Sequence, residues 1–193
     1  MEREILLTGI GGQGIQLAAQ VLARAAVASG LEAMLFGSYG GTMRGGPTDS
    51  TLVVADAPVS APPIVSHAWS AIAMHPAGWD AVAPKLASDA VVVRNAALFA
   101  DAASPDGWRV FAVDATPLAS AAGSSLAAAM VLVGAYVAVT GLVSFEALQE
   151  GLGASLPARR AQHRETNERA LRAGYAAVPR DVAPAWPSGE RAA

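Results

Sequence analysis

The chain of 193 residues contains no cysteine. It therefore forms no disulfide, has no thiolate nucleophile and supplies no cysteine ligand to an iron–sulfur cluster. Its histidines, His67, His75 and His163, are far apart, and no Asp, Glu or His cluster has metal-ligand spacing. No Walker A lysine and no G-x-S-x-G elbow occur. The sequence thus predicts no metal site and no catalytic residues, which indicates a chain that assists chemistry performed elsewhere.

Charged residues are also scarce: they make up 15% of the chain, against roughly 25% in typical soluble domains. Either the surface is unusually apolar, or another protein covers much of it. The net charge is −3 and no basic cluster stands out, so nucleic acid is not expected as a partner. Glu2 and Arg3 precede a short apolar stretch instead of a signal-peptide core, which predicts a cytoplasmic protein.

No charged residue occurs between Asp114 and Glu146, and residues 126–143 are nearly all apolar. A run of about 18 such residues is long enough to be a transmembrane candidate. Alanine, glycine and valine dominate it, however, and no belt of Lys or Arg flanks it. We therefore predict a buried or interface helix and no membrane span.

Glycine, in contrast, is abundant at two places, and the first is TGIGGQG, which follows the apolar strand 5–7 and leads directly into a helical pattern. The residues of this turn are Gly9, Gly11, Gly12, Gln13 and Gly14. Glycine is needed where φ is positive or where a second backbone leaves no room for a Cβ. A helix N-terminus favours an anion, and the spacing fits the dinucleotide-binding pattern G-x-G-x-x-G. The turn therefore binds a phosphate or allows close packing, and the sequence leaves both open.

A dinucleotide site requires an acidic residue at the end of the second strand. A helix from Ile15 to about Gly30 and a strand over 33–36 complete a βαβ unit. That strand ends in Gly37-Ser38-Tyr39, and Glu32 stands at its beginning. The nicotinamide interpretation is therefore disfavoured.

The second glycine-rich stretch, GSYGGTMRGGPTDS, covers residues 37–50 and has five glycines within ten residues. This density excludes a regular element. Because Tyr, Met and Arg stand between the glycine pairs, we favour an ordered binding or docking loop over a flexible one. Arg44 is the candidate contact for a carboxylate or phosphate, since a guanidinium can donate two parallel hydrogen bonds.

The rest of the chain predicts an α/β domain over residues 1–177. Apolar runs indicate four further strands, over 48–55, 71–74, 89–95 and 108–114, the first of them like a strand at a sheet edge. Helices are expected within 76–86 and over 145–152 and 156–173, and Thr116-Pro117 is expected to be an N-cap followed by a proline at the first helical position. Residues 178–193 are rich in proline and are predicted to be disordered or laid on a partner.

GIGGQG at 9–14 occurs here together with SYG-x-x-x-RGG at 38–46, PVSAP at 58–62 and MVLVGAYVAVTG at 130–141. This combination resembles the gamma subunit of 2-oxoacid:ferredoxin oxidoreductases, which act on pyruvate, 2-oxoglutarate, 2-ketoisovalerate, indolepyruvate and related aryl-2-oxo acids. The resemblance covers about residues 4–175. It departs where the family usually has Ala-Asn-Met, because this chain has Ala128-Ala129-Met130.

The resemblance implies a Rossmann-like three-layer domain with a mostly parallel sheet and a glycine-rich βα turn. It implies a multi-subunit enzyme that oxidatively decarboxylates a 2-oxo acid to an acyl-CoA and passes electrons to ferredoxin or onward to NAD. Thiamine diphosphate, Mg²⁺ and [4Fe-4S] clusters would lie on the partner chains, which are the thiamine-binding alpha and beta subunits and a ferredoxin-like delta subunit. Coenzyme A would be the co-substrate. This chain alone would bind no cofactor and have no activity.

In such enzymes the gamma chain packs beside the thiamine-binding subunit and helps to form the coenzyme A side of the site. The resemblance therefore assigns the turn 9–14 to coenzyme A contact or to packing. It assigns a docking and substrate-entry loop to Ser38, Tyr39, Gly40, Met43, Arg44, Gly45, Gly46 and Thr48. Two other hypotheses stay open: a free-standing Rossmann-type protein that binds a nucleotide or coenzyme A, and a structural subunit whose turn binds nothing.

Overall fold

Six strands form one sheet in the order β2-β3-β1-β4-β5-β6. The computed structural model describes residues 1–38, 45–59, 65–99, 104–156 and 162–187. The strands are β1 (Glu2–Ile10), β2 (Glu32–Ser38), β3 (Pro47–Ala55), β4 (Ala68–Ala73), β5 (Leu86–Asn95) and β6 (Arg109–Val113). β1, β4, β5 and β6 pair in parallel, whereas β3 pairs antiparallel with both β1 and β2. The predicted βαβ unit is present, and β3 lies between its two strands.

The position of β3 corrects the prediction of a strand at a sheet edge, because it has a paired neighbour on each side. The prediction relied on its polar, alternating start. Alternation reports which face of a strand is buried, and it carries no information on whether the edges of the strand are hydrogen-bonded. Thr48 and Asp49 are half-exposed although their backbone lies inside the sheet.

Two helical layers of unequal thickness cover the sheet and make the three-layer α/β fold. The helices are α1 (Ile15–Ala28), α2 (Trp79–Val82), α3 (Ala115–Ala121), α4 (Ala128–Thr140), α5 (Phe145–Ser155) and α6 (Arg164–Ala176). One face carries Ile5, Leu52 and Ile72 and packs into the large core with α1 and α3–α6. The other face, with Leu6 and Val92, is covered near α2 and the short 3-10 turn that follows it.

The helix α3 begins two residues earlier than the sequence predicts. The helix begins at Ala115 with Asp114 as its N-cap, so Thr116 is not the cap and Pro117 is the third helical residue. Proline is tolerated there because the first N–H groups of a helix have no partner within the helix. The hydroxyl of Thr116 instead accepts a hydrogen bond from Asn95 Nδ2 at 3.1 Å.

The long uncharged run forms α4, and every residue of this helix is buried in the chain's own core. Among the described residues no helix is long and apolar enough to cross a membrane. α6 crosses α4 with the two backbones nearly in contact. A Cβ at Gly134 would overlap the carbonyl oxygen of Leu171, and a Cβ at Gly174 would overlap that of Val131.

The tail was expected to be disordered or to lie on a partner, but its first residues, 178–187, lie against the chain itself. The N–H groups of Asp181, Ala183 and Ala185 donate to the carbonyls of the last turn of α4, at 2.8, 3.0 and 2.7 Å. Trp186 Nε1 donates to the carbonyl of Leu142 at 2.9 Å, and Arg3 Nε donates to that of Ala185 at 2.5 Å. The tail thereby satisfies carbonyls that a helix C-terminus leaves without partners. Prolines suggested disorder, and no sequence pattern identifies a segment that caps a distant helix.

We predict that Gly174→Ala destabilises the protein by on the order of 3 kcal/mol or more, because the methyl group forces α6 away from α4. Gly153→Ala is the matched control, since a Cβ there meets only the mobile end of Arg164 at 3.4 Å. That substitution should stabilise α5 by roughly 0.5–1 kcal/mol. Thermal unfolding of the purified chain measures both, and equal melting temperatures for the two variants would contradict the prediction.

Ending the chain at Val178 should lower its stability by roughly 3–7 kcal/mol, because five hydrogen bonds worth about 0.5–1.5 kcal/mol each are lost. A chain that ends at Pro187 keeps all five bonds and is the control. Urea unfolding of the two truncated chains tests this. Identical unfolding midpoints would show that the tail does not hold α4.

Candidate functional site

The two glycine-rich stretches meet at the carboxyl edge of the sheet. After β1 the chain forms β2 and β3 on one side of β1, and then forms β4 on the other side of β1. The direction in which strands are added to the sheet therefore reverses between β1 and β4. In open α/β sheets, ligands bind in the crevice outside the carboxyl ends of the strands at such a reversal. The turn after β1 and His75 after β4 flank this crevice.

Hydrogen bonds within the turn hold its shape. The N–H of Ile10 donates to Gln13 Oε1 at 3.0 Å, and the N–H of Gln13 donates back to the carbonyl of Ile10 at 3.1 Å. Gly9 lies directly beneath, because a Cβ there would be 2.8 Å from the side chain of Ile15 and 2.9 Å from Gln13 Oε1. Gln13 therefore shapes the turn, a role that the glycine pattern does not reveal.

Gly12 and Gly14 have φ angles of 99° and 80°, and Gly14 is the N-cap of α1. A Cβ at Gly12 would meet no atom within 4 Å, so this position opens to the surface. No described residue accepts a hydrogen bond from the N–H of Gly12 or Gly14. Within the described part of the chain, the start of α1 thus presents N–H groups without acceptors, which is the arrangement that an anion at a helix N-terminus uses.

The second stretch contacts the turn through its backbone. The N–H of Gly11 donates to the carbonyl of Gly46 at 2.9 Å, and a Cβ at Gly11 would be 3.3 Å from the backbone nitrogen of Gly45. Thr48 Oγ1 lies 3.5 Å from the carbonyl oxygen of Gly46. Gly11 is therefore a close-packing residue, whereas Gly12 is open.

The other predicted loop residues are described in part or not at all. Ser38 ends β2, where its backbone is opposite Asp49 of β3. Tyr39, Gly40, Met43 and Arg44 lie outside the described residues. The assignment of Arg44 as an anion contact accordingly stays a prediction.

Gln16 also holds the site together, although the sequence analysis did not single it out. Its Nε2 donates to the carbonyl of Asp49 at 3.1 Å, which ties the first turn of α1 to β3. A Cβ at Gly37 would be 2.5 Å from Gln16 Oε1, so the amide fills the space that the glycine leaves. A polar residue at the second position of a mostly apolar helix was the available signal.

Ala129, which stands where the family usually has asparagine, lies beside the turn. A Cβ at Gly14 would be 3.9 Å from the Cβ of Ala129 in the first turn of α4. The departure from the family pattern therefore falls at the site, and it leaves a methyl group where a side-chain amide would reach the start of α1.

His75 and Asn95 follow or end neighbouring strands at the same edge. His75 Nδ1 accepts a hydrogen bond from the N–H of Ala77 at 3.0 Å, so this nitrogen carries no proton. Asn95 is fully buried, and its Oδ1 has no partner among the described residues. Within the described ranges, no group of three His, Asp or Glu residues is arranged to hold a metal ion.

The titratable groups with displaced pKa values are away from this edge. Burial raises the pKa of Tyr136, whose hydroxyl bonds Ser70 Oγ at 2.8 Å. Burial lowers the pKa of Arg3, which lies over the ring of Trp69. Among its described residues, the crevice offers backbone N–H groups and the space that glycines leave.

Comparison with known proteins shows the family to which the chain belongs. The family described as pyruvate ferredoxin/flavodoxin oxidoreductase matches residues 4–177. The chain belongs to this family. It is 30% identical over 165 residues to 2-oxoglutarate synthase subunit KorC of Methanothermobacter marburgensis, covering 81% of this chain and 88% of that protein. The KorC subunit of Methanocaldococcus jannaschii is 29% identical over 160 residues, with coverages of 81% and 85%.

Solved structures place the chain as a gamma subunit of a 2-oxoacid:ferredoxin oxidoreductase. The keto/oxoacid ferredoxin oxidoreductase gamma subunit of Geobacter sulfurreducens is 27% identical with a TM-score of 0.76, covering 90% of this chain and 96% of that one. Pyruvate oxidoreductase subunit PORC of Thermotoga maritima is 25% identical with a TM-score of 0.70 and coverages of 91% and 96%. The 2-oxoglutarate:ferredoxin oxidoreductase of Magnetococcus marinus shares the fold at 17% identity, with a TM-score of 0.71, and this chain matches 33% of it.

We predict that Gln13→Leu destabilises the chain by about 1 kcal/mol, because the N–H of Ile10 loses its acceptor. Gln13→Glu keeps an oxygen at that position and should retain the stability. Thermal unfolding of both variants measures the difference, which corresponds to about 2–4 °C in melting temperature. A leucine variant as stable as the glutamate variant would show that Gln13 does not hold the turn.

Proposed function

We propose that this gamma subunit forms the coenzyme A side of the active site in a complex that oxidatively decarboxylates a 2-oxo acid to an acyl-CoA. The [4Fe-4S] clusters belong to a ferredoxin-like delta partner and other chains of the complex, because this chain has no cysteine to ligate them. The resemblance assigns thiamine diphosphate and Mg²⁺ to the alpha and beta partners. The gamma subunit's own contribution is the crevice between β1 and β4. The observation that carries the proposal is the start of α1, where the N–H groups of Gly12 and Gly14 have no acceptor among the described residues and Gly12 faces open space.

A phosphate of coenzyme A fits this start for two reasons. The dipole of α1, which is 14 residues long, favours negative charge at its N-terminus. Glycine at positions 12 and 14 lets an anion approach the backbone without meeting a Cβ. Gly9 and Gly11 allow the turn to pack closely against neighbouring atoms of the chain. Packing is thus the role of these two glycines, and binding is the role of Gly12 and Gly14.

The free-standing protein that binds a nucleotide or coenzyme A is the less supported alternative. Relatives that match nearly all of this chain carry names of subunits of larger oxidoreductases. The relatives also differ in the 2-oxo acid of their names, 2-oxoglutarate for the KorC subunits and pyruvate for PORC. Since the KorC subunits are similar over most of their length, 2-oxoglutarate is the first substrate to test.

Gln13→Glu tests the coenzyme A contact in the assembled complex. The carboxylate keeps the shape of the turn but places a negative charge beside the start of α1. A loss of about 1 kcal/mol of helix-terminus attraction should raise the KM for coenzyme A roughly fivefold and leave the KM for the 2-oxo acid unchanged.

The assay follows 2-oxoglutarate-dependent reduction of ferredoxin, with pyruvate and 2-ketoisovalerate as comparison substrates. Gln13→Asn, which shortens the side chain without adding charge, separates a change of shape from a change of charge. An unchanged KM for coenzyme A in Gln13→Glu would show that the turn packs within the protein and does not contact coenzyme A.

A further inference from the structure

A groove of about 510 Å³ lies at the end of the molecule opposite the glycine turn. Its apolar lining includes Leu31, Leu142, Val143, Ala147 and Trp186, and we call it the amino-end groove. It is formed where α1 ends, where α5 begins, and where β3 ends beside the first residue of the chain. This volume is within the range of about 300–1,000 Å³ that ligand sites occupy.

Every charged side chain that lines the amino-end groove is acidic: Asp56, Glu146 and Glu150. Asp56 pairs with the amino group of Met1. Glu146 and Glu150 make no hydrogen bond or ion pair with another described residue. The N-terminus of α5 also lies here and adds partial positive charge of about half an elementary charge, which the full charges of the two glutamates outweigh. The groove therefore favours a positively charged occupant.

Trp186 adds an aromatic wall to this acidic groove. The hydrogen bond from its Nε1 to the carbonyl of Leu142, at 2.9 Å, fixes the position of the indole. An aromatic ring and carboxylates around an apolar floor suit a guanidinium or ammonium on an aliphatic stem. The charge changes sign beyond Phe145, where Arg172 lies over the ring of Phe145.

Apolar side chains next to the groove are exposed. Val27, in the last turn of α1, is 60% exposed, and Met1, which pairs with Asp56, is 47% exposed. A subunit of a complex has partners that can cover such a surface.

We propose that the amino-end groove docks a partner subunit through a lysine or arginine side chain that inserts between Glu146, Glu150 and Trp186. The complementary charge selects this occupant, and the apolar floor holds its aliphatic stem. The interaction is distinct from the coenzyme A contact, which lies at the other end of β1. The inference requires assembly, which the family establishes, and does not require that the turn bind coenzyme A.

A single engineered cysteine tests the proposal, because the chain has none of its own. Ala28→Cys places a thiol on an exposed residue that lines the groove. The purified complex is treated with iodoacetamide, and peptide mass spectrometry measures the rate at which the engineered cysteine at position 28 is labelled. The reference is the labelling rate of the same chain unfolded in urea. Docking should slow the labelling by at least about tenfold, as restricted access to a covered site does.

Glu146→Lys with Glu150→Lys, introduced beside Ala28→Cys, should restore fast labelling, because the reversed charges expel a basic side chain. Asp106→Lys is the matched control, since Asp106 is an exposed acid outside the groove, and labelling should stay slow. Fast labelling before any charge reversal, or slow labelling after it, would overturn the proposal. Protection that disappears in a chain ending at Pro187 would also overturn it, because the occupant would then be this chain's own C-terminus.

Discussion

The complete burial of α4 is the constraint from which most of the architecture follows. A helix that is apolar on all sides must be covered on all sides. The sheet covers one side, and α6 crosses another so closely that glycine is required at the crossing, at positions 134 and 174. The tail must then satisfy the carbonyls at the end of the helix, because water does not reach them. The burial of this one helix thus determines how the sheet, α6 and the tail pack, although they are distant from one another in the sequence.

The same helix positions the candidate site. Its first turn places Ala129 beside Gly14, so the start of α1 is held between α4 and the backbone at Gly45 and Gly46. A phosphate site made of backbone N–H groups needs this support, since the donors must be held in place before the anion arrives. The burial of α4 and the binding geometry are therefore linked, although α4 supplies no side chain for chemistry.

Much of the fold could be predicted because it depends on local patterns. The turn after β1, α1 and the strand after it follow from apolar runs and glycine spacing, and the charge-free run was predicted to be a buried or interface helix. The edge position of β3 was wrong, because strand pairing depends on backbone partners that alternation does not encode. The contacts of residues 178–187 with the chain itself were not predicted either, since their hydrogen bonds join residue 181 to residue 138 and have no local signature.

The site was predictable in location but not in detail. Spacing alone gave Gly9 to Gly14 equal roles, whereas the structure separates Gly11, which packs against backbone, from Gly12, which is open. The contributions of Gln13 and Gln16 depend on three-dimensional proximity to Ile10 and Asp49. A glutamine in sequence gives no sign that it completes a turn.

The scarcity of charge was first taken as a sign of a covered surface, and the structure shows that the core accounts for a large part of it. α4 and the small residues around it place many apolar side chains inside the chain itself. Among the described residues, the two ends of β1 differ: the N–H groups of Gly12 and Gly14 have no acceptor near one end, and the carboxylates of Glu146 and Glu150 have no partner near the other. Because these ends differ in charge, one suits an anionic ligand and the other a basic partner, which is the basis of both proposals.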